Sequence, residues 1–246
     1  MEVLQNFHNY HIVVVGCGGT GSNLVPHLAQ LANSYQDEKI SIVLADEDVV
    51  EPGNIGRQFF IEPDVGNNKA GVLQKRYLAA WGVEISYYPY YIRDAQVLLK
   101  LLEIPASHGH RSTLPILVGC VDNHKSRRVF HEVFYQMDTI AYVDGGNSFF
   151  SGQVVLGLKI GGKEILKPLS EYYPDVMTTD DDISVGGTCG RKTVKEPQSL
   201  IANLWSAATI LSFINNIIGV KKIPSYMTTF NAHNILCRPE YIRWQK

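Results

Sequence analysis

Residues 10–58 read YHIVVVGCGGTGSNLVPHLAQLANSYQDEKISIVLADEDVVEPGNIGRQ, and the rest of the chain is organised around them. His11 to Val15 is a short β-branched run, suited to a strand buried on both faces. Gly16, Gly18, Gly19 and Gly21 follow at once, and Leu24, Leu28 and Leu31 then mark a helix. Between a strand and a helix, such glycines let the backbone turn sharply and approach a phosphate, with helix-start N–H groups aimed at its charge. A second apolar run, Ile40 to Ala45, ends on Asp46, where a ribose-binding carboxylate belongs. Nucleotide binding is the first expectation. The glycines alone leave dehydrogenases, flavoproteins and methyltransferases equally open.

Outward from this unit, the order stays alternating. A polar connection, residues 46–68, precedes a helical pattern at 69–80 and a candidate strand at 84–90. A helix over 94–102 begins at an acidic cap, and residues 104–113 read as a surface loop. Leu114 to Val121 is a buried apolar strand that stops at Asp122-Asn123. His124 to Met137 fits a helix with Val129, Val133 and Tyr135 inward, and Thr139 to Val143 the next strand, ending at Asp144-Gly145-Gly146. Alternating strands and helices predict an α/β Rossmann-like fold, a doubly wound and mainly parallel sheet. Gln153 to Ile160 suits an antiparallel strand at its far side. Residues 169–196 form a polar crossover loop. A helix opening at Pro197 presents Leu200, Leu204, Ala208, Leu211, Ile214 and Ile218 as one apolar face, and residues 226–236 supply final antiparallel strands. No repeat or linker is visible, so residues 1–246 read as one domain, with the nucleotide-binding half over about 10–145.

Composition sets limits. The chain has 22 basic and 24 acidic residues, a formal net charge of −2 and 45% hydrophobic residues. That balance carries no signature of nucleic-acid or membrane-surface binding. The four cysteines, Cys17, Cys120, Cys189 and Cys237, form no CxxC pair, which argues against a zinc ribbon and a secreted disulfide framework. The start has neither the basic nor the apolar part of a signal peptide, and Leu200 to Val220 is interrupted by Asn203, Ser206, Asn215 and Asn216. A cytoplasmic protein is expected.

The company the glycines keep is more specific. Asp46-Glu47-Asp48, Asn54, Arg57-Gln58, Lys69 and Asp122-Asn123 follow at successive strand ends, where open α/β sheets bind ligands. A dehydrogenase needs an acidic ribose anchor but not an Arg, a Lys and a second strand-end Asp beside it; a triphosphate does. The motifs GCGGTGS, ADEDVVEPGNIGRQFF, DVGNNKA, GCVDNHKSRR and DGGNSFFSGQV, in order over roughly residues 11–155, resemble the core of the ThiF/MoeB family, which includes the ubiquitin-activating enzymes. Among its members the chain looks most like the ThiF-type proteins of bacterial PRTRC gene systems.

The resemblance implies ATP- and Mg²⁺-dependent adenylation of the C-terminal glycine carboxylate of a ubiquitin-like or sulfur-carrier protein by a homodimer. Gly16, Gly18, Gly19 and Gly21 would line the nucleotide site and Asp46 would hold the ribose. Asn54, Arg57 and Lys69 would hold the phosphates, with Asp48 in the same set unless it is a solvated loop charge or a cap. Asp122 would coordinate Mg²⁺ or else cap the following helix, and Asn123 and Arg127 would support its loop. Cys189, in GGTCGRK beside Arg191, Lys192 and Lys195, would receive the acyl group in relatives that form a thioester. Cys17 and Cys120 read as packed small residues. Two departures from the family stand out. The zinc-binding CxxC pairs are missing, so no zinc is expected. Residues 1–38 hold no Arg or Lys, whereas many relatives place there an arginine that reaches the partner subunit's ATP. That leaves a non-catalytic nucleotide-binding scaffold as the alternative, and an NAD-dependent oxidoreductase as a third reading.

Overall fold

The computed structural model describes residues 2–106, 113–179 and 199–242. The first half alternates strand and helix: β1 (Asn9–Val15), α1 (Gly19–Ser34), β2 (Lys39–Ala45), α2 (Lys69–Trp81), β3 (Glu84–Tyr88), α3 (Ala95–Leu101), β4 (Thr113–Gly119), α4 (His124–Gln136) and β5 (Ile140–Asn147). Then come β6 (Ser151–Ile160), β7 (Lys163–Leu166), the short helices α5 (Leu169–Tyr172) and α6 (Asp175–Thr178), α7 (Leu200–Asn215), β8 (Ser225–Asn231) and β9 (Leu236–Tyr241). The sheet runs β3-β2-β1-β4-β5-β6-β8-β9, with β7 paired to β6. β1 to β5 are parallel, and β6 to β9 are attached antiparallel. The fold is therefore the mixed, Rossmann-like α/β sheet with antiparallel C-terminal strands that the residue pattern predicts.

Register explains why the site forms where it does. Val15 lies beside both Ala45 and Gly119, and Gly119 beside Asp144. The residues that follow Val15, Ala45 and Gly119 thus leave the sheet at a common edge. Chain order reverses between β1 and β4, and that crevice is where such sheets take ligands. Burial on both faces is general in the middle strands: Ile12, Val14, Ile116 and Val118 face one core, and Val13, Leu117 and Tyr142 the other.

Three local expectations are corrected. The inward face of α7 is not Leu200-Leu204-Ala208-Leu211: Leu200 and Leu204 are exposed, while Ala202, Asn203, Ser206, Ala207 and Ile210 are buried with Ile214 and Ile218. The helix starts at Leu200 with Ser199 as N-cap; Pro197 lies outside the described residues. By length and composition Leu200–Val220 is apolar enough to cross a membrane, yet half of it is buried inside the protein. In α4, Val133 is buried as expected, but its neighbours inward are Phe130 and Phe134, while Tyr135 is exposed. β5 runs on through Asp144 to Asn147 because Asp144 is neutralised by Arg127 of α4. A carboxylate can sit inside a sheet only with such a partner.

Candidate functional site

At the common edge of β1, β2, β4 and β5 lies a cavity of about 820 Å³. It begins with the glycine turn. Gly16 has φ +93°, and a Cβ there would lie 2.6 Å from the Cys120 carbonyl oxygen; at Gly21 one would lie 1.9 Å from the Gly16 oxygen. Neither position accepts a side chain without moving backbone. At Gly18 the nearest heavy atom to such a Cβ is 3.9 Å away, so the turn is tight beneath and open above. No side chain caps the start of α1, whose first turn faces the cavity through Gly19 and Thr20. Uncapped helix-start N–H groups beside an open glycine turn suit a phosphate.

Asp46 leaves β2 next to this turn. Its carboxylate accepts from the Cys17 N–H at 2.5 Å and the Asp48 N–H at 2.8 Å. Burial pushes the carboxyl up from 3.8 to about 6, against those two hydrogen bonds and nearby Lys69, which pull it down. Asn54 is buried, with its side-chain oxygen accepting from the Glu51 N–H at 2.9 Å, which fixes a turn at Pro52–Asn54. Arg57 is half-buried on the cavity wall, and its Nε donates to the Gly53 carbonyl at 3.1 Å. Lys69 opens α2. Its Nζ donates to Asp48 at 2.8 Å, and Asn68 before it caps the helix and donates to the carbonyls of Asp46 and Asp48 at 2.8 and 3.1 Å. Asp48 is thus placed as the partner of Lys69.

Across the crevice, the loop after β4 carries Asp122. The N-cap of α4 is Asn123, whose side-chain oxygen accepts from the Ser126 N–H at 2.8 Å. The capping alternative for Asp122 is thereby taken by its neighbour, and Asp122 is exposed on the cavity wall. Arg127 holds the other side of that loop: its Nη2 donates to the Val121 carbonyl at 2.8 Å and its Nε to Asp144 at 3.0 Å. The loop is supported as expected.

All the glycine, Asp46, Asp48, Asn54, Arg57, Lys69 and Asp122 positions except Gly21, which braces the turn from below, line this cavity. Cys189 and its basic neighbours Arg191, Lys192 and Lys195 lie outside the described residues. Burial raises the Cys17 and Cys120 thiols well above the ordinary range, which keeps both protonated and unreactive at neutral pH. Among the described residues no three His, Cys, Asp or Glu side chains gather as a metal site.

Residue reasoning misses several wall positions. Asn68, behind the wall rather than on it, is visible in the sequence only as part of a motif. Tyr90, Tyr91 and Ile92 follow β3 and close one end of the cavity, a place that the end of a third parallel strand indicates. At the opposite end Asn147 accepts from the Thr20 hydroxyl at 3.2 Å and donates to Asn203 at 2.8 Å, joining β5, α1 and α7.

A sequence model described as "ThiF family" matches residues 1–239. Ubiquitin-like modifier-activating enzyme 5 of Oryza sativa subsp. japonica is 25% identical over 143 residues, 54% of this chain and 32% of that protein. Human ubiquitin-like modifier-activating enzyme 6 is 36% identical over 59 residues, 24% of this chain and 6% of that protein. The chain therefore spans a third or less of these relatives. Among solved structures, E. coli MccB with ATP superposes with a TM-score of 0.66 at 20% identity, over 97% of this chain and 65% of that one. PaaA gives 0.66 at 18% identity, over 97% and 66%.

Proposed function

The chain belongs to the ThiF family, and from that premise we propose that it is an adenylyltransferase of the ubiquitin-like modifier-activating type. It uses ATP to adenylate the C-terminal carboxylate of a small ubiquitin-like or sulfur-carrier protein. The observation that carries this reading is the convergence of Asp46, Arg57, Lys69 and Asp122 on one cavity around an open glycine turn. MccB, of the same fold, has been crystallised with ATP and with AMPCPP together with MccA, which supports a nucleotide and a second molecule as joint occupants.

The chemistry needs little from the protein beyond position and charge. A carboxylate oxygen bonds to the α-phosphorus while the bond to the bridging oxygen of pyrophosphate breaks, and pyrophosphate leaves with that electron pair. The attacking carboxylate is already ionised, so no general base is required. Asp46 accepts from the ribose hydroxyls. Arg57 and Lys69 offset charge that builds on the phosphates, and aligned donors of this kind carry most of the acceleration in such transfers. Asp122, just past the end of β4 on the cavity wall, would hold Mg²⁺, a hard cation bound by one or two carboxylates plus phosphates that would supply further charge neutralisation. The reading includes a homodimer, which light scattering would measure directly.

Carrier-dependent exchange of radiolabelled pyrophosphate into ATP tests it. The candidate carriers are small proteins ending in Gly-Gly, and no exchange with any of them would sink the reading. Acyl transfer to Cys189 is a separable step: Cys189→Ala retains exchange and loses any thioester seen by mass spectrometry. The absence of Arg and Lys from residues 1–38 favours a second reading, a non-catalytic nucleotide-binding subunit. Tight ATP binding with no adenylate would select it.

A further inference from the structure

We infer that the exposed start of α7 and the Phe149–Phe150 turn form the track by which the acyl substrate's last residues enter the cavity, and that the track selects apolar, uncharged residues there. This rests on the adenylation reading above. Phe149 is the link: it lines the nucleotide cavity and is also 37% exposed. Phe150 packs edge-on against it, with ring centroids 4.4 Å apart. The Ser199 hydroxyl donates to the Phe149 carbonyl, which pins this turn to the N-terminus of α7. The first turns of the helix then carry Leu200, Ile201 and Leu204, all exposed and on one face.

That exposure is not loose packing. The opposite face of α7 is filled by Ala202, Asn203 and Ser206, and Asn203 is tied through Asn147 to Thr20 at the glycine turn. The lip is thus fixed relative to the site where phosphate would lie. Exposed apolar residues scattered singly need no explanation; here Phe149 lines the cavity, and the Ser199 bond sets the exposed start of α7 next to it, the kind of grouping that marks an interaction surface.

The distribution of charge selects the occupant. The five lip residues Phe149, Phe150, Leu200, Ile201 and Leu204 carry none, while the cations Arg57 and Lys69 lie on the cavity wall. A carboxylate that reacts inside must trail its chain across the lip. A charged residue a few positions before that carboxylate would lose water against those five side chains and gain no partner from them; an apolar one would gain contact. The commitment is therefore to a C-terminal peptide segment. A second copy of this chain is the competing occupant.

The test uses the full chain, ATP and two free-acid hexapeptides, Leu-Val-Leu-Ala-Gly-Gly and Lys-Ser-Asp-Ala-Gly-Gly. The apolar peptide is expected to support pyrophosphate exchange with a KM roughly tenfold below that of the charged one, the scale on which apolar pockets discriminate. Ile201→Ser and Leu204→Ser, both surface changes, are expected to raise that KM about tenfold while ATP affinity stays as it was. Equal use of the two peptides, or an unchanged KM in both variants, overturns the track and leaves adenylation standing. Exchange with neither peptide while a carrier protein ending in Gly-Gly supports it also overturns the track; exchange with neither peptide nor any carrier, while ATP still binds, removes the adenylation reading and the track with it. Variants that only dissociate a dimer, by light scattering, assign the face to a second copy and also overturn it.

Discussion

Lys69 and Asp48 face each other at 2.8 Å, with the lysine side chain 7% exposed and the aspartate 61%. A nearly enclosed ammonium needs a counter-charge, and Asp48 supplies it from the solvent side. A phosphate entering the cavity offers the same ammonium a second anion. Asp48→Asn should therefore lower the melting temperature of the free protein by a few degrees, corresponding to about 1 kcal/mol for a pair open to solvent on one side. ATP should then raise the melting temperature of the variant more than that of the wild type, because the phosphates replace the missing anion. Equal shifts in a thermal-denaturation titration would show that Lys69 does not meet the nucleotide.

Arg57 and Asp122 stand on the cavity wall, one half-buried and the other exposed. Arg57→Ala and Asp122→Ala should each reduce carrier-dependent pyrophosphate exchange at least about a hundredfold, the effect of deleting one aligned charge from a transition state. Stability should change by no more than about 0.5 kcal/mol, as for surface substitutions generally. Circular dichroism and exchange measured on the same samples separate the two. Asp122→Ala with exchange intact would remove the metal assignment.

The Asp46 carboxyl, raised by burial from 3.8 to about 6, makes opposite predictions for stability and for binding. Between those two values the folded chain holds a proton that the unfolded chain has released. This group's contribution to stability is therefore present at low pH and is lost as pH rises through about 4 to 6. Ribose binding needs the ionised form, so AMPCPP affinity should fall by up to roughly tenfold per pH unit below about 6. Asp46→Asn should bind more weakly at pH 7 and show only the nucleotide's own phosphate titration. Parallel profiles for the two proteins would remove the ribose assignment.

The centre of the parallel half is legible in the sequence because β1, β2, β4 and β5 carry apolar runs largely buried on both faces and punctuated by glycine or aspartate, whereas the edge strand β3 is mostly exposed. The face of α7 is not legible. LIANLWSAATILSFIN is apolar almost all round, so periodicity offers several inward faces, and the one used is decided by Asn203 meeting Asn147 from 56 residues away. The extension of β5 through Asp144 likewise depends on Arg127 of another element. At the site, Asp46 and Asp122 are legible as acidic residues just past strand ends, and Arg57 and Lys69 by the motifs that hold them, but the partnerships are not. Asn123 and Asp122 are equally good caps on paper, and only the geometry of α4 assigns the cap to Asn123. The pairing of Asp48 with Lys69 spans 21 positions and has no local signal.

Arg127 and Asp144 are 3% and 0% exposed in their side chains and 3.0 Å apart, and the Tyr142 hydroxyl donates to the same carboxylate at 2.7 Å. Arg127→Met alone leaves a buried carboxylate without its counter-charge, a loss of about 3–5 kcal/mol. That is on the order of 6–20 °C in melting temperature for a chain of this size. Replacing the network together, Arg127→Met with Asp144→Leu and Tyr142→Phe, removes charge and hydroxyl at once and should recover much of the stability, since apolar substitutes for buried pairs are often tolerated. The Mg²⁺ dependence of exchange should not recover with it. The Val121 carbonyl accepts from Arg127 at 2.8 Å, and that bond holds the loop on which Asp122 sits. The triple variant should melt near the wild type yet need more Mg²⁺ for half-maximal exchange. If both stability and Mg²⁺ dependence return to wild-type values, the network serves the core alone and does not position Asp122.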